Sequence, residues 1–387
     1  VAAHSFGQID IEKDAREANP TLVLSRFEGA SATKKLLLDT LVRCDWFAVS
    51  ESAENPDFIV SARHDAQGQA MDLQVTSRKR GSLSLRATAP SGDTTALAQA
   101  AVDLLLQKTF SVPGICSSRI AFAVGGAGNL KEIFTCRFDG SDARRLTHNG
   151  SISTEPSWGS DNRFLVYTLY RDNATSIVLV NMTTDRQRQL SRFRGLNAGA
   201  DLSPDGQWAA LSLSKERRVD LYLLSLQSNT LRQVTNDFAV ESSPSWSPRG
   251  DQLCYVSDRA GKPQLYLVAA AGGTPARLLR DRDEAVSPDW SAVSNQICFS
   301  TRLGGQYVIA MVDMADTSRR RKVVTKAAGD WESPSWAPDG RHVVCSRTLR
   351  NHRELFQVDT WHGRMIPITQ NGDHSLPSWS ALQSGGR

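Results

Sequence analysis

Few residues of this 387-residue chain have the type and spacing that catalysis requires. The seven histidines are scattered, and the last four, His342, His352, His362 and His374, show no recognised metal-ligand spacing. The chain contains no Gly-x-Ser-x-Gly nucleophile elbow. Gly125-Gly-Ala-Gly128 is not followed by a predicted helix whose N-terminus could bind a phosphate. We therefore predict that the protein is not an enzyme.

The cysteines do not predict a metal site either. There are six, at positions 44, 116, 136, 254, 298 and 345, and none belongs to a Cys-x-x-Cys pair of the kind that binds zinc. An even number permits disulfides, and the one pairing we consider is Cys116 with Cys136. These motifs imply no cofactor.

Polar residues do recur at one kind of position, a few residues before a repeated Pro-x-Trp triplet. Carboxylates gathered there would favour a cationic or peptide partner, or a metal ion. The acidic members are Glu155, Glu241, Asp283, Glu284, Asp330, Glu332 and Asp373, and Asn197, Trp331 and His374 lie among them.

The triplets themselves form a repeat. Five copies end at Trp158, Trp246, Trp290, Trp336 and Trp379, and a sixth, degenerate copy ends at Leu202 in Asp-Leu-Ser-Pro-Asp-Gly. The six anchors are spaced 44, 44, 44, 46 and 43 residues apart. Each unit continues with short β-rich runs separated by Gly, Pro, Asp and Asn. About 44 residues and four strands per unit are typical of a β-propeller blade, so six units predict six blades.

The phase of the repeat predicts how the propeller closes. The first unit starts at Arg119 with the second strand of a blade, and the chain ends soon after a first strand at 375–380. These residues should complete the blade begun at 118–148, which would protect both sheet edges. The repeated Trp should pack between blades, and the small Ser-x-Ser residues should lie on the innermost strand.

In a propeller, the loops entering the innermost strands surround one mouth of the central channel. The predicted partner-binding residues at that mouth are Glu155, Asn197, Glu241, Glu284, Trp331, Glu332 and His374. Loops between the second and third strands should add a basic outer collar of Arg171, Arg217, Arg218, Arg259, Lys262, Arg302, Arg350 and Arg353.

The region before the repeat has a different pattern. Strands are predicted at 21–24 and near 46–50, 57–63, 70–77 and 82–88, and helices at 31–42 and 93–109, which together form a small α+β domain. The predicted organisation is a flexible arm at 1–19, the α+β domain at 20–112, the six-bladed propeller at 113–382 and a tail at 383–387. The fold class is mainly β.

Composition argues against nucleic-acid binding and against a membrane-spanning helix. The net charge is only +4, and no basic run is present that would bind a nucleic-acid backbone. The longest apolar stretches are shorter than the roughly 18 residues that a membrane-spanning helix requires.

Together, the α+β domain, the Pro113-Gly114 joint before Arg119-Ile-Ala-Phe-Ala123, and the six copies of Ser-Pro-x-Trp-Ser-Pro-Asp-Gly resemble the TolB family. These are the periplasmic propeller proteins of the Tol-Pal system of Gram-negative bacteria. The resemblance covers about residues 8–382. This chain departs from the repeat at Ala200 and Leu202, and at Ala381.

The resemblance implies a function. A TolB-like chain would be a monomeric, non-enzymatic scaffold in the periplasm that supports outer-membrane integrity and cell division. Its channel mouth would bind peptidoglycan-associated lipoprotein, and its N-terminal segment would contact the inner-membrane protein TolA. The resemblance also allows for a calcium ion bound in the channel. Two alternatives remain at this stage, a propeller enzyme and a carbohydrate- or peptidoglycan-binding module, for which Trp331 would be the aromatic residue at the mouth.

Overall fold

A computed structural model describes residues 17–65, 68–79, 81–89, 92–215, 218–281 and 283–382. The chain divides into two compact units, one ending at Ser118 and the other running from Arg119 to Ala381. In the described residues, no helix combines the length and the apolar character needed to cross a membrane. Most of the predicted arm, and the whole predicted tail, lie outside the described residues.

The first unit is an α+β domain, as predicted. Its five-stranded sheet has the order β2-β1-β3-β4-β5, in which β1 runs parallel to both neighbours and the other pairs are antiparallel. The strands are β1 (Thr21–Glu28), β2 (Ala48–Ser50), β3 (Phe58–His64), β4 (Ala70–Ser77) and β5 (Gly81–Thr88).

Two helices accompany this sheet, α1 (Ser31–Arg43) and α2 (Thr94–Phe110). In α1 the buried side chains of Leu37 and Leu41 are four residues apart and share one face of the helix. The Asp93 carboxylate caps α2 by accepting a hydrogen bond from Ala96 N at 3.0 Å. The predicted helix positions are therefore confirmed to within a residue or two.

The second unit is a six-bladed β-propeller. Four blades are separate four-stranded sheets, and the other two are joined by a single bridge between Lys131 and Ile152. The innermost strands are β9 (Ile152–Trp158), β13 (Asn197–Leu202), β17 (Glu241–Trp246), β21 (Ala285–Trp290), β25 (Asp330–Trp336) and β29 (His374–Trp379).

Each innermost strand pairs with an antiparallel second strand. The second strands are β6 (Arg119–Gly125), β10 (Phe164–Arg171), β14 (Trp208–Leu213), β18 (Gln252–Ser257), β22 (Gln296–Leu303) and β26 (His342–Leu349). The third strands are β7 (Lys131–Arg137), β11 (Ala174–Asn181), β15 (Asp220–Ser225), β19 (Gln264–Ala269), β23 (Gln306–Asp313) and β27 (His352–Asp359). Short outer strands finish the blades: β8 (Arg144–Arg145), β12 (Gln187–Ser191), β16 (Leu231–Gln233), β20 (Ala276–Arg277), β24 (Lys322–Val323) and β28 (Met365–Pro367).

The ring closes as the phase of the repeat predicts. The last strand, β29, pairs antiparallel with β6, so that Trp379 lies opposite Ile120 and His374 opposite Val124. The first blade is thus built from both ends of the propeller sequence, which removes an exposed strand edge from each.

The repeated tryptophans form the contacts between blades. Trp290 packs against Ile297 and Phe299 of its own blade and against Val256 and Leu265 of the preceding blade. The equivalent Trp246 and Trp336, and Leu202 in the degenerate copy, occupy the same kind of cluster. These side chains are buried, and the prediction that they pack between blades is confirmed.

Candidate functional site

A left-handed backbone position recurs in every innermost strand, three residues before the anchor. Its φ lies between 50° and 59° in all six copies, and the strand pairing shifts by one residue there. An extra residue in one strand of an antiparallel pair is a β-bulge, which bends the strand and interrupts its alternation. The six positions are Glu155, Gly199, Ser243, Ser287, Ser333 and Leu376.

The bulges and the two residues after each of them surround the central channel. Its cavity has a volume of about 170 Å³, and the lining consists mainly of Ser, Pro, Ala and Gly. Small side chains are needed where six strands approach one axis, which confirms the predicted place of the Ser-x-Ser residues. A space of this size is smaller than the few hundred Å³ typical of small-molecule sites.

The residue just before each anchor links its blade to a neighbour. Ser245 Oγ accepts a hydrogen bond from Trp290 N at 2.9 Å, and Ser335 Oγ accepts one from Trp379 N at 3.0 Å. The first blade is joined in the same way, because Trp158 N donates to Ser378 Oγ at 3.2 Å. The serine of Pro-Ser-Trp therefore helps to hold adjacent blades together.

Two blades use aspartate at this position. Asp201 accepts hydrogen bonds from Ser157 Oγ at 2.9 Å and from Trp246 N at 3.0 Å, and Asp289 accepts one from Trp336 N at 2.6 Å. Burial raises the pKa of Asp201 to about 6 and that of Asp289 to about 7. The negative charge of Asp201 contributes to the rise in the pKa of Asp289.

These aspartates bear on a calcium ion in the channel. Ca²⁺ takes six to eight oxygen ligands, and its protein sites are built mainly around carboxylates. Here both oxygens of Asp201 accept hydrogen bonds from neighbouring blades, and Asp289 is bonded to the backbone of Trp336. Because three of these four carboxylate oxygens already accept hydrogen bonds between blades, the arrangement does not fit a channel calcium site.

The mouth of the channel is defined by the strand register. Glu241 at the start of an innermost strand lies opposite Ser257 at the end of its second strand, and Asp330 lies opposite Thr348. Loops that enter the innermost strands therefore share one end of the propeller with the hairpins between second and third strands. We call this end the mouth face.

Four of the predicted site residues occupy one register position, five residues before the anchor: Asn197, Glu241, Trp331 and His374. The first three are fully buried inside the blades and do not form the surface of the mouth. Their expected exposure is therefore incorrect, because the bulge inserts one residue and reverses which side chains point inward.

Each buried member has a structural partner. The Asn197 side chain bridges Phe193, accepting from its N–H at 2.9 Å and donating to its carbonyl at 2.8 Å. Trp331 Nε1 donates to the Ala327 carbonyl at 2.9 Å. The Glu241 carboxylate forms an ion pair with Arg259, and burial raises its pKa to about 7.

The other predicted site residues are partly buried. Glu155 lies at a bulge, where it accepts hydrogen bonds from Thr168 Oγ1 at 2.8 Å and Gly199 N at 3.0 Å. Glu284 accepts a hydrogen bond from the Tyr307 hydroxyl, and this bond raises the pKa of Tyr307 to about 12.

Glu332 and His374 share burial as the main influence on their ionisation. Burial raises the pKa of Glu332, and the positive charge of Arg353 opposes that rise. Burial lowers the pKa of His374, whose ring packs edge-on against Phe122 with centroids 5.7 Å apart. A partner-binding role for Glu155, Glu284, Glu332 and His374 stays a prediction.

We expected an acidic mouth and a separate basic collar, but several of these acidic and basic side chains form ion pairs with one another. Arg259 bonds to Glu241, and Arg353 lies 3.3 Å from Asp373. Asp283 pairs with Arg321, which the sequence did not place in the collar. Opposite charges neutralise one another within blades, so the mouth face has a mixed rather than an acidic character. Arg217 of the expected collar lies outside the described residues.

The mouth face instead presents apolar side chains that the sequence analysis did not select. Phe238 is 95% exposed and Val240 49%, both in the loop entering β17. The loop is fixed, because Asp237 Oδ1 accepts from Ala239 N at 2.9 Å and Asp258 Oδ1 accepts from Val240 N at 2.8 Å. An exposed Phe in a charged loop is the signal that could have revealed this feature.

Leu303 and Leu349 add to this exposed apolar surface. They are 47% and 38% exposed and end the second strands of the fifth and sixth blades, on the mouth face. The guanidinium of Arg218 lies 4.9 Å from the Phe238 ring centroid. Aromatic residues and arginine are enriched at protein–protein interfaces, and exposed apolar patches often mark interaction sites.

Comparison with known proteins agrees with this architecture. A family profile described as the TolB beta propeller domain matches residues 107–383. The crystal structure of TolB from Acinetobacter baumannii superposes with a TM-score of 0.84 at 22% identity, covering 93% of this chain and 96% of that one.

Sequence relatives match over shorter segments. The Tol-Pal system protein TolB of Desulfosudis oleivorans is 37% identical over 100 residues, or 26% of this chain. The protein of the same name from Francisella tularensis subsp. tularensis is 31% identical over 83 residues, or 21% of this chain. The matched segments span 22% and 19% of those relatives, about a fifth of their length.

Proposed function

This chain belongs to the TolB β-propeller domain family, and from that premise we propose that it is a non-enzymatic scaffold of the Tol-Pal system. In this proposal it works in the periplasm as a monomer, supporting outer-membrane integrity and cell division. Its mouth face binds peptidoglycan-associated lipoprotein, and its N-terminal region contacts TolA. The propeller at 113–382 and the α+β domain at 20–112 are the proposed functional divisions.

The observation that carries the proposal is how the channel uses its polar groups. Its serines and aspartates bond to the backbones of adjacent blades, as Ser335 does to Trp379 and Asp289 to Trp336. Side chains used to hold blades together are not available as nucleophile and base. A binding role at the mouth face is better supported than catalysis in the channel.

The mouth face offers a surface suited to a protein partner. Phe238 is almost fully exposed on a loop whose backbone is held by Asp237 and Asp258. A loop whose backbone is fixed before binding loses little conformational entropy when a partner covers it, so its aromatic residue can serve as an anchor. The partly buried Glu332 and His374 would then provide polar contacts around that anchor.

The alternative of a carbohydrate-binding module loses its main support. That alternative relied on Trp331 as the aromatic residue exposed at the mouth, and Trp331 is fully buried. The proposed contact of residues 1–19 with TolA rests on the family resemblance, since this segment lies almost wholly outside the described residues.

Affinity capture tests this proposal. The full chain is immobilised and exposed to detergent-solubilised envelope of the source bacterium, and retained proteins are identified by mass spectrometry. We expect peptidoglycan-associated lipoprotein to be retained by the unmodified chain and lost with Phe238→Ser and Glu332→Lys together. Failure to retain it, with circular dichroism showing a folded bait, would contradict the proposed partner.

A further inference from the structure

Two cysteines of the α+β unit lie in the segments that follow its two helices. Cys44 directly follows α1, and its N–H donates to the Thr40 carbonyl at 2.9 Å, extending the last turn. Cys116 lies beyond α2, and its N–H donates to Asp103 Oδ1 at 2.8 Å. Both residues are fully buried, and the backbone N–H of each is hydrogen-bonded.

The two thiol groups are neighbours. The segment after α1 packs on the end of α2, where the ring centroids of Trp46 and Phe110 are 4.8 Å apart. There the Cys44 side chain interacts directly with the thiol of Cys116, which lies 72 residues further along the chain. Both are free thiols in the structure. The Asp103 carboxylate also contacts Cys116, and burial, followed by the Cys44 contact and the charge of Asp103, raises the pKa of the Cys116 thiol.

We propose that Cys44 and Cys116 are a disulfide-forming pair that joins the end of α1 to the segment after α2. This pairing replaces the one considered from the sequence, Cys116 with Cys136. It does not depend on the proposed partners.

The oxidant would be a small-molecule or protein disulfide. One cysteine thiolate attacks a sulfur of that disulfide, forming a mixed disulfide and releasing one thiolate. The second cysteine, after losing its proton, attacks the protein sulfur of the mixed disulfide and releases the other thiolate. The two cysteines lose two protons and two electrons in total, and the oxidant is reduced to two thiols.

Burial determines when this exchange takes place. Only the thiolate reacts, and a buried thiol with a raised pKa supplies very little of it to a reagent in solvent. The bond should therefore form while the unit is folding, before both sulfur atoms are enclosed. Once formed, the same burial would protect it from reduction.

The other four cysteines provide internal controls. All are buried in strands of the propeller or beside them. Cys298 and Cys345 share one apolar cluster around Trp336, so they form the main competing pair. A peptide map must distinguish these possibilities, and trypsin permits this because Cys44 is carried on residues 44–63, Cys116 on 109–119 and Cys136 on 132–137.

The experiment refolds the reduced, unfolded full chain in a buffer of reduced and oxidised glutathione. Remaining thiols are then alkylated under denaturing conditions before digestion and mass spectrometry. We expect four alkylated cysteines, from six less the two joined, and one cross-linked species of peptides 44–63 and 109–119. Cys44→Ala should abolish the cross-link, and the matched control Cys136→Ala should retain it.

Six alkylated cysteines in the refolded wild-type chain would overturn the proposal, as would a cross-link between any other pair. Because this result is read from the wild type, it does not depend on the stability of either variant. Circular dichroism before alkylation establishes that the chain has refolded.

Discussion

Replacement of Asp289 by Asn tests how the two channel aspartates contribute to stability. The Asp289 carboxylate is enclosed in the channel wall, where Asp201 and the Cys298 thiol are its titratable neighbours, and its pKa is raised from 3.8 to about 7. Between those two pH values the folded chain holds a proton that the unfolded chain has released. The contribution of this bound proton to stability is therefore fully present below about pH 4, and it is lost as the pH rises through about 7.

The magnitude follows from this displacement of the pKa. A pKa of about 7 in the folded chain and 3.8 in the unfolded chain lowers the free energy of unfolding by about 3 kcal/mol between pH 5 and pH 8. Asn has no charge to lose, and its carbonyl can still accept from Trp336 N. The Asp289→Asn variant should therefore gain about 3 kcal/mol relative to wild type between those pH values.

The assay is urea denaturation followed by tryptophan fluorescence at pH 5 and pH 8, with the free energy of unfolding extrapolated to water. Asp172→Asn is the matched control, because Asp172 is exposed and its left-handed backbone suits Asn equally well. The control should give the same difference from wild type at both pH values. If Asp289→Asn behaves like the control, the buried, uncompensated charge that we ascribe to Asp289 does not exist.

Three further substitutions test the packing of the blades. Trp246→Ala should lower the free energy of unfolding by about 3–5 kcal/mol, since it empties a cluster shared by two blades, and equilibrium urea denaturation would measure this. Ser335→Ala removes the acceptor for Trp379 N and should cost about 1–3 kcal/mol; a cost near zero in the same assay would contradict its inter-blade role. Glu241→Lys places a second positive charge against Arg259 in a buried site, so thermal denaturation should show a loss of several degrees. An unchanged melting temperature would show that Glu241 is not enclosed.

The sequence was sufficient to predict the architecture because the repeat depends on residues with one structural use. A Trp that packs between blades cannot be exchanged freely, and a Gly such as Gly250, with φ of 70°, marks the turn that follows it. The degenerate copy at Leu202 could still be placed, because an apolar residue at the same spacing occupies the same cluster.

The candidate site was less predictable, for a reason that lies in the bulge. Trp331 and Glu241 were placed at the mouth because they stand where loops enter the innermost strands, and alternation along an ordinary strand would put them on the face opposite to the anchor. The bulge at Ser333 and Ser243 inserts one residue and turns those side chains into the blade. Ser has no strong preference for a left-handed backbone, so local sequence gives no sign of the bulge; it follows from the crowding of six strands around one axis.

The exposed apolar residues were missed because their meaning depends on the assembled ring. Phe238 is one aromatic residue in a polar loop, and its position on the mouth face follows only from the pairing of β17 with β18. Likewise, the contact between Cys44 and Cys116 depends on where two helices end in space, which spacing in the sequence does not reveal.

The most direct test of the proposed function is calorimetric titration of the full chain with the lipid-free domain of peptidoglycan-associated lipoprotein from the same bacterium. Phe238→Ser changes the mouth face, and Val293→Ser is the matched control, an apolar residue 54% exposed in the turn between β21 and β22 at the opposite end of a blade. We expect binding by the wild type, at least a tenfold loss of affinity with Phe238→Ser, equivalent to about 1.4 kcal/mol, and unchanged affinity with Val293→Ser. No binding by a folded wild-type chain, or equal affinity for both variants, would contradict a partner site at the mouth.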